Sequence, residues 1–165
     1  MCLRHFWAPD SSIGRETSRL GEGIVTAQLV TVHKKGALRI LLVSVTALQL
    51  PSARTLVERI LSAYQQLIER AHAHGLRVFG ATITPYVGSN YYHPGPLSEA
   101  DRQVVNQWVR AAGHFDALID FDAVVRDPAH PDQLLPTLDC GDHLHPSPAG
   151  YKAMGEAIPL TVFAR

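Results

Sequence analysis

Cysteine is scarce in this chain: only Cys2 and Cys140 occur in 165 residues. They lie far apart and fit no C-x-x-C spacing, which excludes a disulfide framework or a zinc ribbon and leaves two free thiols. Excess charge is missing too. Fifteen basic residues balance fifteen acidic ones, so there is no electrostatic footprint for nucleic acid and none is expected as a partner. Nor is there a long hydrophobic run. The most apolar stretch, Ile40 to Leu50, is broken by Ser44, Thr46 and Gln49 and falls far short of the roughly 20 apolar residues that span a bilayer. The opening MCLRHFWAPD lacks a basic segment followed by an apolar one, so no secretory signal is expected and the compartment is left open. What the chain does have is 46% hydrophobic and 18% charged residues, enough to build one domain around one apolar core.

Periodicity organises the second two thirds of the chain. From Ser52 to Gly75, apolar residues at Leu56, Val57, Ile60, Leu61, Tyr64, Leu67, Ile68 and Ala71 form a helical stripe, with Ser52 placed to cap it and Gly75 to end it. The run LRVFGATIT, Leu76 to Thr84, is rich in β-branched residues and stops at Pro85, as a buried strand would. Ser98 and Asp101 predict the start of a second helix carrying Val104, Val105, Trp108, Val109 and Ala112, with Gly113 as its stop. Phe115 to Phe121 reads as another strand, and Asp122 to Pro146 as a loop. Ser147 followed by Pro148 predicts a last helix through Tyr151, Met154 and Ala157. This αβαβα order predicts a parallel sheet with helices on both faces and a site at the C-terminal ends of the strands. Before Pro51, Ile24 to Val32 and Ala37 to Leu48 read as two strands whose pairing the pattern does not define.

Chemistry concentrates in Asp139 to Tyr151, DCGDHLHPSPAGY. Asp142 and His145 are three residues apart, close enough for a turn to let the carboxylate accept a hydrogen bond from one imidazole nitrogen while the other faces a nucleophile. The bland alternative is a solvated loop carboxylate beside a histidine that happens to precede Pro146. A metal is the other alternative, because Asp139, Cys140, Asp142, His143 and His145 crowd into seven residues. The C-x-x-C, H-E-x-x-H and H-x3-H spacings are missing, however, so no metal is expected. His72 and His74 read as solvated, and Trp108, Phe115 and Phe121 as core. Tyr86, Tyr91, Tyr92 and His93 fall in a loop that either lines a substrate cleft or is merely exposed.

The segment Asp142-His143-Leu144-His145, followed by HPSPAGY, resembles the last block of the SGNH (GDSL) serine ester hydrolases, whose acid and base sit in D-x-x-H. AHAHG, ATITPY and FDALIDFDAVVRDP extend the likeness over roughly residues 53 to 160. The resemblance implies a three-layer α/β/α, flavodoxin-like fold with a parallel sheet. It also implies hydrolysis of a carboxylic ester by a Ser-His-Asp mechanism, with Asp142 and His145 as the acid and base. The partner would be a small ester, whether lipid, acetylated sugar or another acyl ester, and no cofactor is needed. Members of the family are often secreted.

Two of the family's blocks are absent. The nucleophile lies in G-D-S and part of the oxyanion hole in G-x-N-D, and neither occurs here. Pro9-Asp10-Ser11 is the nearest approach to the first, but no strand-like run precedes it, so Ser11 is a weak candidate. Ala47-Leu48-Gln49 stands where the second belongs. The chain therefore reads as one SGNH-like domain over residues 1–165, with an atypical region at 1–52, a family-like half at 53–160, and an N-terminal part truncated or altered. The rival readings are a noncatalytic α/β module that folds or binds a partner, and a metal-dependent hydrolase built on the DCGDHLH loop.

Overall fold

The structure, a computed structural model, describes residues 14–20, 23–31, 39–43 and 54–163, with side chains from residue 57 onward. Strands β1 (Gly14–Leu20), β2 (Gly23–Thr31), β3 (Arg39–Val43), β4 (Arg77–Ala81) and β5 (Ala117–Ile119) form a single sheet in sequential order. β3, β4 and β5 run parallel, as Leu41 opposite Val78 and Gly80 opposite Leu118 fix the register. The pairing before Pro51, which the sequence pattern does not define, is antiparallel: β1 pairs with β2, and β2 with β3. The reason is chain length. A parallel neighbour needs a crossover of about a dozen residues or more, whereas the short connections here permit only antiparallel pairing.

The long crossovers are helices α1 (Arg54–Ala73) and α2 (Pro96–Arg110). Both carry the chain the same way across the sheet, so right-handed connections put both on one face. Val57, Ile60, Tyr64, Ile68 and Ala71 of α1 pack there with Val105 and Val109 of α2 around Val78, each nearly fully buried. Burial of each of the larger side chains contributes about 1.5–3 kcal/mol. The next residue along β4, Phe79, points to the opposite face by the period of two. Its ring meets Phe163 edge-on at 6.4 Å, which lays the C-terminal 3₁₀-helix Leu160–Phe163 against that second face.

Several element ends follow local chemistry. Gly75 adopts φ +67, and its N–H reaches His72 while that of Leu76 reaches Ala71, at 2.9 Å each, a Schellman stop of the kind that glycine makes cheap. Helix α4 (Pro148–Glu156) starts on Ser147, whose Oγ accepts from the Gly150 N–H, with Pro148 at the first helical position. Helix α2, by contrast, begins at Pro96 after Gly95 rather than at Ser98, because proline's fixed φ suits the first turn. Val104 and the post-helical Ala112 are solvent-exposed, not core. The stretch read as loop from Asp122 contains a short helix, α3 (Phe121–Val125), capped by Asp120, and this trims the strand before it to Ala117–Ile119. His72 is not simply solvated: its Nε2 lies 2.9 Å from Asp116, whose carboxylate also accepts from the Val78 N–H. Trp108 and Phe115 pack at the edge of the core.

Candidate active site

The loop between α3 and α4 is closed at its base before it presents any side chain. Asp139 bridges to Pro146, the Cys140 N–H donates to the His145 carbonyl at 3.0 Å, and the Ser147 N–H donates to the Leu138 carbonyl at 2.7 Å. Gly150 on α4 comes so close that a Cβ there would lie 2.5 Å from the Leu138 carbonyl oxygen. Loop and helix are thus seated on each other through backbone.

Within this frame two aspartates organise successive turns. Asp139 Oδ1 accepts from the N–H groups of Gly141 and His143, and its other oxygen lies 2.9 Å from His143 Nδ1. Asp142 Oδ1 accepts from the N–H groups of Leu144 and His145 at 3.0 and 2.8 Å, while Oδ2 lies 2.6 Å from His145 Nδ1. The two histidines are therefore sorted between two carboxylates. His143, in the left-handed region at φ 57, turns to Asp139 and packs against Gly88, where an added Cβ would sit 3.2 Å from its ring. His145 turns to Asp142.

The geometry defines a tautomer. Asp142 carries its charge: burial pushes its carboxyl pKa up, but donors from the His145 backbone and ring, the Leu144 N–H and the Cys140 thiol outweigh this and hold it well below the usual carboxylate range. An ionised carboxylate is acceptor-only, so Nδ1 carries the proton and Nε2 keeps its lone pair in the neutral ring. Among the described residues Nε2 makes no hydrogen bond. Both side chains are part-exposed, 46% for Asp142 and 36% for His145, so the pair is reachable from solvent. Cys140, Asp142 and His145 also offer one possible metal-ligating atom each within 4.8 Å of one another.

The neighbouring loop after β4 holds Tyr86, buried and in edge contact with Tyr92 at 6.5 Å, and Tyr91, which is 75% exposed. Through Gly88 this loop touches His143. Ser11 lies outside the described residues, as do Cys2 and Ala47-Leu48-Gln49.

Sequence reasoning missed one charged cluster at the C-terminal ends of β4 and β5. Arg102 donates to Asp122 at 2.6 Å with both side chains essentially sealed from solvent, and to the Ile83 carbonyl at 3.0 Å. Arg110 reaches Asp122 and Asp120, and Asn106 clasps Ile83 through both its backbone groups. Thr82 Oγ1 links Asp120 to the Asp122 N–H. Arg102, Asn106 and Arg110 recur every four residues, a polar stripe down one face of α2 that was the available signal.

The parallel strands with their crossover helices, and the Asp142–His145 contact in the loop before α4, make an α/β domain with a carboxylate–imidazole pair in a loop. The profile of the GDSL-like Lipase/Acylhydrolase family matches residues 27–153, and the chain belongs to that family. A GDSL-like lipase from Bacteroides thetaiotaomicron is similar in fold, at TM-score 0.53 and 18% identity, over 62% of this chain and 50% of that one. A G-D-S-L family protein from Desulfitobacterium hafniense aligns at TM-score 0.48 and 21% identity, over 61% of this chain and 53% of that one. The chain thus spans about half the length of these solved relatives. Among curated proteins nothing matches. Among the described residues no helix is long and apolar enough to cross a membrane.

Proposed function

We propose that this chain carries the acid–base half of a carboxylic ester hydrolase, with His145 as general base and acid and Asp142 as the residue that orients it. The observation that supports this is the 2.6 Å contact between Asp142 Oδ2 and His145 Nδ1, which leaves Nε2 as the basic nitrogen. In the reaction a serine attacks the ester carbonyl and His145 Nε2 takes its proton. The tetrahedral intermediate collapses as His145 returns the proton to the leaving alcohol, and water completes the cycle on the acyl-enzyme. Asp142 stays ionised throughout and stabilises the imidazolium.

The nucleophile and the oxyanion donors are the parts this sequence does not supply in recognisable form, since it contains neither G-D-S nor G-x-N-D. A His–Asp pair alone forms no acyl-enzyme. The chain as it stands is expected to hydrolyse short p-nitrophenyl esters feebly or not at all, and to resist labelling by a fluorophosphonate. Strong turnover with labelling at a mapped serine would overturn that expectation and name the nucleophile. The absent blocks also favour the second reading, a noncatalytic α/β module. A chain given G-D-S and G-x-N-D segments separates the two: gain of esterase activity that depends on His145 supports the hydrolase, and a well-folded chain with no gain supports the module.

A further inference from the structure

Asp142 and His145 have a third neighbour that ester hydrolysis does not use. Cys140 belongs to the same closed loop, and its thiol donates to the Asp142 carboxylate. Each of the three residues offers one ligand atom, and the three atoms lie within 4.8 Å of one another. From the described geometry we infer that Cys140, Asp142 and His145 form a binding site for a thiophilic divalent metal ion, zinc being the best match, in a C-x-D-x-x-H arrangement.

Three features carry this. The donor set is one thiol sulfur, one carboxylate and one imidazole, the three ligand types zinc takes, and three protein ligands leave a fourth position for water. The sulfur selects against magnesium and calcium, which prefer all-oxygen sites. Tetrahedral zinc with bonds of about 2.0–2.3 Å holds its ligand atoms roughly 3.4–3.6 Å apart, so closure from 4.8 Å asks only for side-chain adjustment. The loop is also held before any metal arrives, by the Asp139–Pro146 bridge, the Cys140 to His145 backbone bond and the N–H groups that fix Asp142. Binding replaces the thiol proton, released to solvent, with the metal. It draws Asp142 and His145 into coordination, so the metal-bound state and the acid–base state of His145 exclude one another. The metal here is a competing ligand of the loop, not a cofactor of ester hydrolysis, and the inference stands whether or not the hydrolase reading does.

The test uses the full chain, purified with chelator and reductant and then freed of both. Calorimetric titration with zinc should give about one tight site, and cobalt(II) should produce a sulfur-to-cobalt charge-transfer band with tetrahedral d–d absorption. Cys140→Ser and His145→Ala should each weaken zinc binding at least about 10–100-fold, the range that loss of a supporting second partner alone costs. Cys2→Ser and His143→Ala should leave it within a few fold. Zinc should also shield Cys140, mapped by peptide, from iodoacetamide, a readout on the unaltered chain that survives even if a variant folds poorly. A cobalt spectrum without the sulfur band, zinc affinity indifferent to Cys140→Ser, or alkylation of Cys140 unaffected by zinc would each overturn the site.

Discussion

Arg102–Asp122 and His145–Asp142 are carboxylate–base pairs of equal length in very different surroundings. Arg102 and Asp122 meet at 2.6 Å with side chains 1% and 0% exposed, while His145 and Asp142 meet at 2.6 Å with 36% and 46% exposed. In the first pair both partners are tied into further bonds: Arg102 also donates to Glu99 and to the Ile83 and Pro131 carbonyls, and Asp122 also accepts from Arg110 and Arg126. An arginine so placed cannot give up its proton, because burial opposes its charge but the bonds to Glu99 and Asp122 hold the proton on more firmly. In the second pair the base is an imidazole with a nitrogen to spare. Distance alone does not separate a structural ion pair from a chemical one. What separates them is whether the base can lose its proton and whether solvent or substrate can reach it.

The sharpest way to press that contrast is to remove each base in turn. In a chain restored with G-D-S and G-x-N-D segments, His145→Ala should lower esterase kcat/KM by about 10³–10⁴-fold or more, as members of a triad act as a unit. The melting temperature should hardly move, since the ring is part-exposed. Asp122→Ala should do the reverse. Stranding buried Arg102 and half-buried Arg110 without their shared carboxylate should cost about 3–5 kcal/mol of stability, read by urea unfolding. If His145→Ala instead unfolds the protein while Asp122→Ala is silent, the division between the two pairs is wrong.

The same contrast shows what could be seen in the sequence and why. The α1 stripe from Val57 to Ala71, its Gly75 stop and the Ser147-Pro148 helix start were legible because each rests on neighbours within a few residues. The hydrogen bond between Asp142 and His145 was expected for that reason too, being a contact across three residues. The Arg102–Asp122 clamp was not legible, since its partners lie 20 residues apart and meet only once α2 has folded back over β4. Strand β1 escaped notice because GRETSRL shows no alternation of apolar and polar residues; its place is set by pairing with β2. Helix α3 is five residues long, too short for a period, and is marked only by the Asp120 cap.

Smaller effects should sharpen the link between loop and helix. Gly150→Ala pushes a methyl to 2.5 Å from the Leu138 carbonyl, a backbone atom that cannot step aside. A loss of about 1–3 kcal/mol is expected. Loosening of the loop should then lower activity of the restored chain beyond what the stability loss accounts for. Ser147→Ala removes the cap on Gly150 and the hydroxyl's bond to the Thr137 carbonyl, and should cost about 1 kcal/mol, with little effect on the site. If the two variants perturb the Asp142–His145 contact equally in the imidazole NMR spectrum, the backbone seat is not what holds the loop.

The smallest effect concerns pH, and its sign follows from the direction of the Asp142 shift. Burial raises the Asp142 pKa, yet the bonds from the His145 N–H and ring, the Leu144 N–H and the Cys140 thiol depress it further than burial lifts it. A group whose folded pKa lies below its unfolded value adds stability that is fully present above the unfolded pKa, about 3.9, and is lost as pH falls through the folded one. Wild type should therefore keep its stability margin over Asp142→Asn down to about pH 4 and lose it only in stronger acid. Because the Asp142 side chain is 46% exposed, solvent screening should keep that margin under about 1 kcal/mol. Carboxyl carbon NMR of Asp142 should accordingly show the ionised form persisting below the pH at which an unfolded aspartate protonates. A midpoint at or above the unfolded value would mean that the turn does not hold the carboxylate, and the orienting role proposed for Asp142 would go with it.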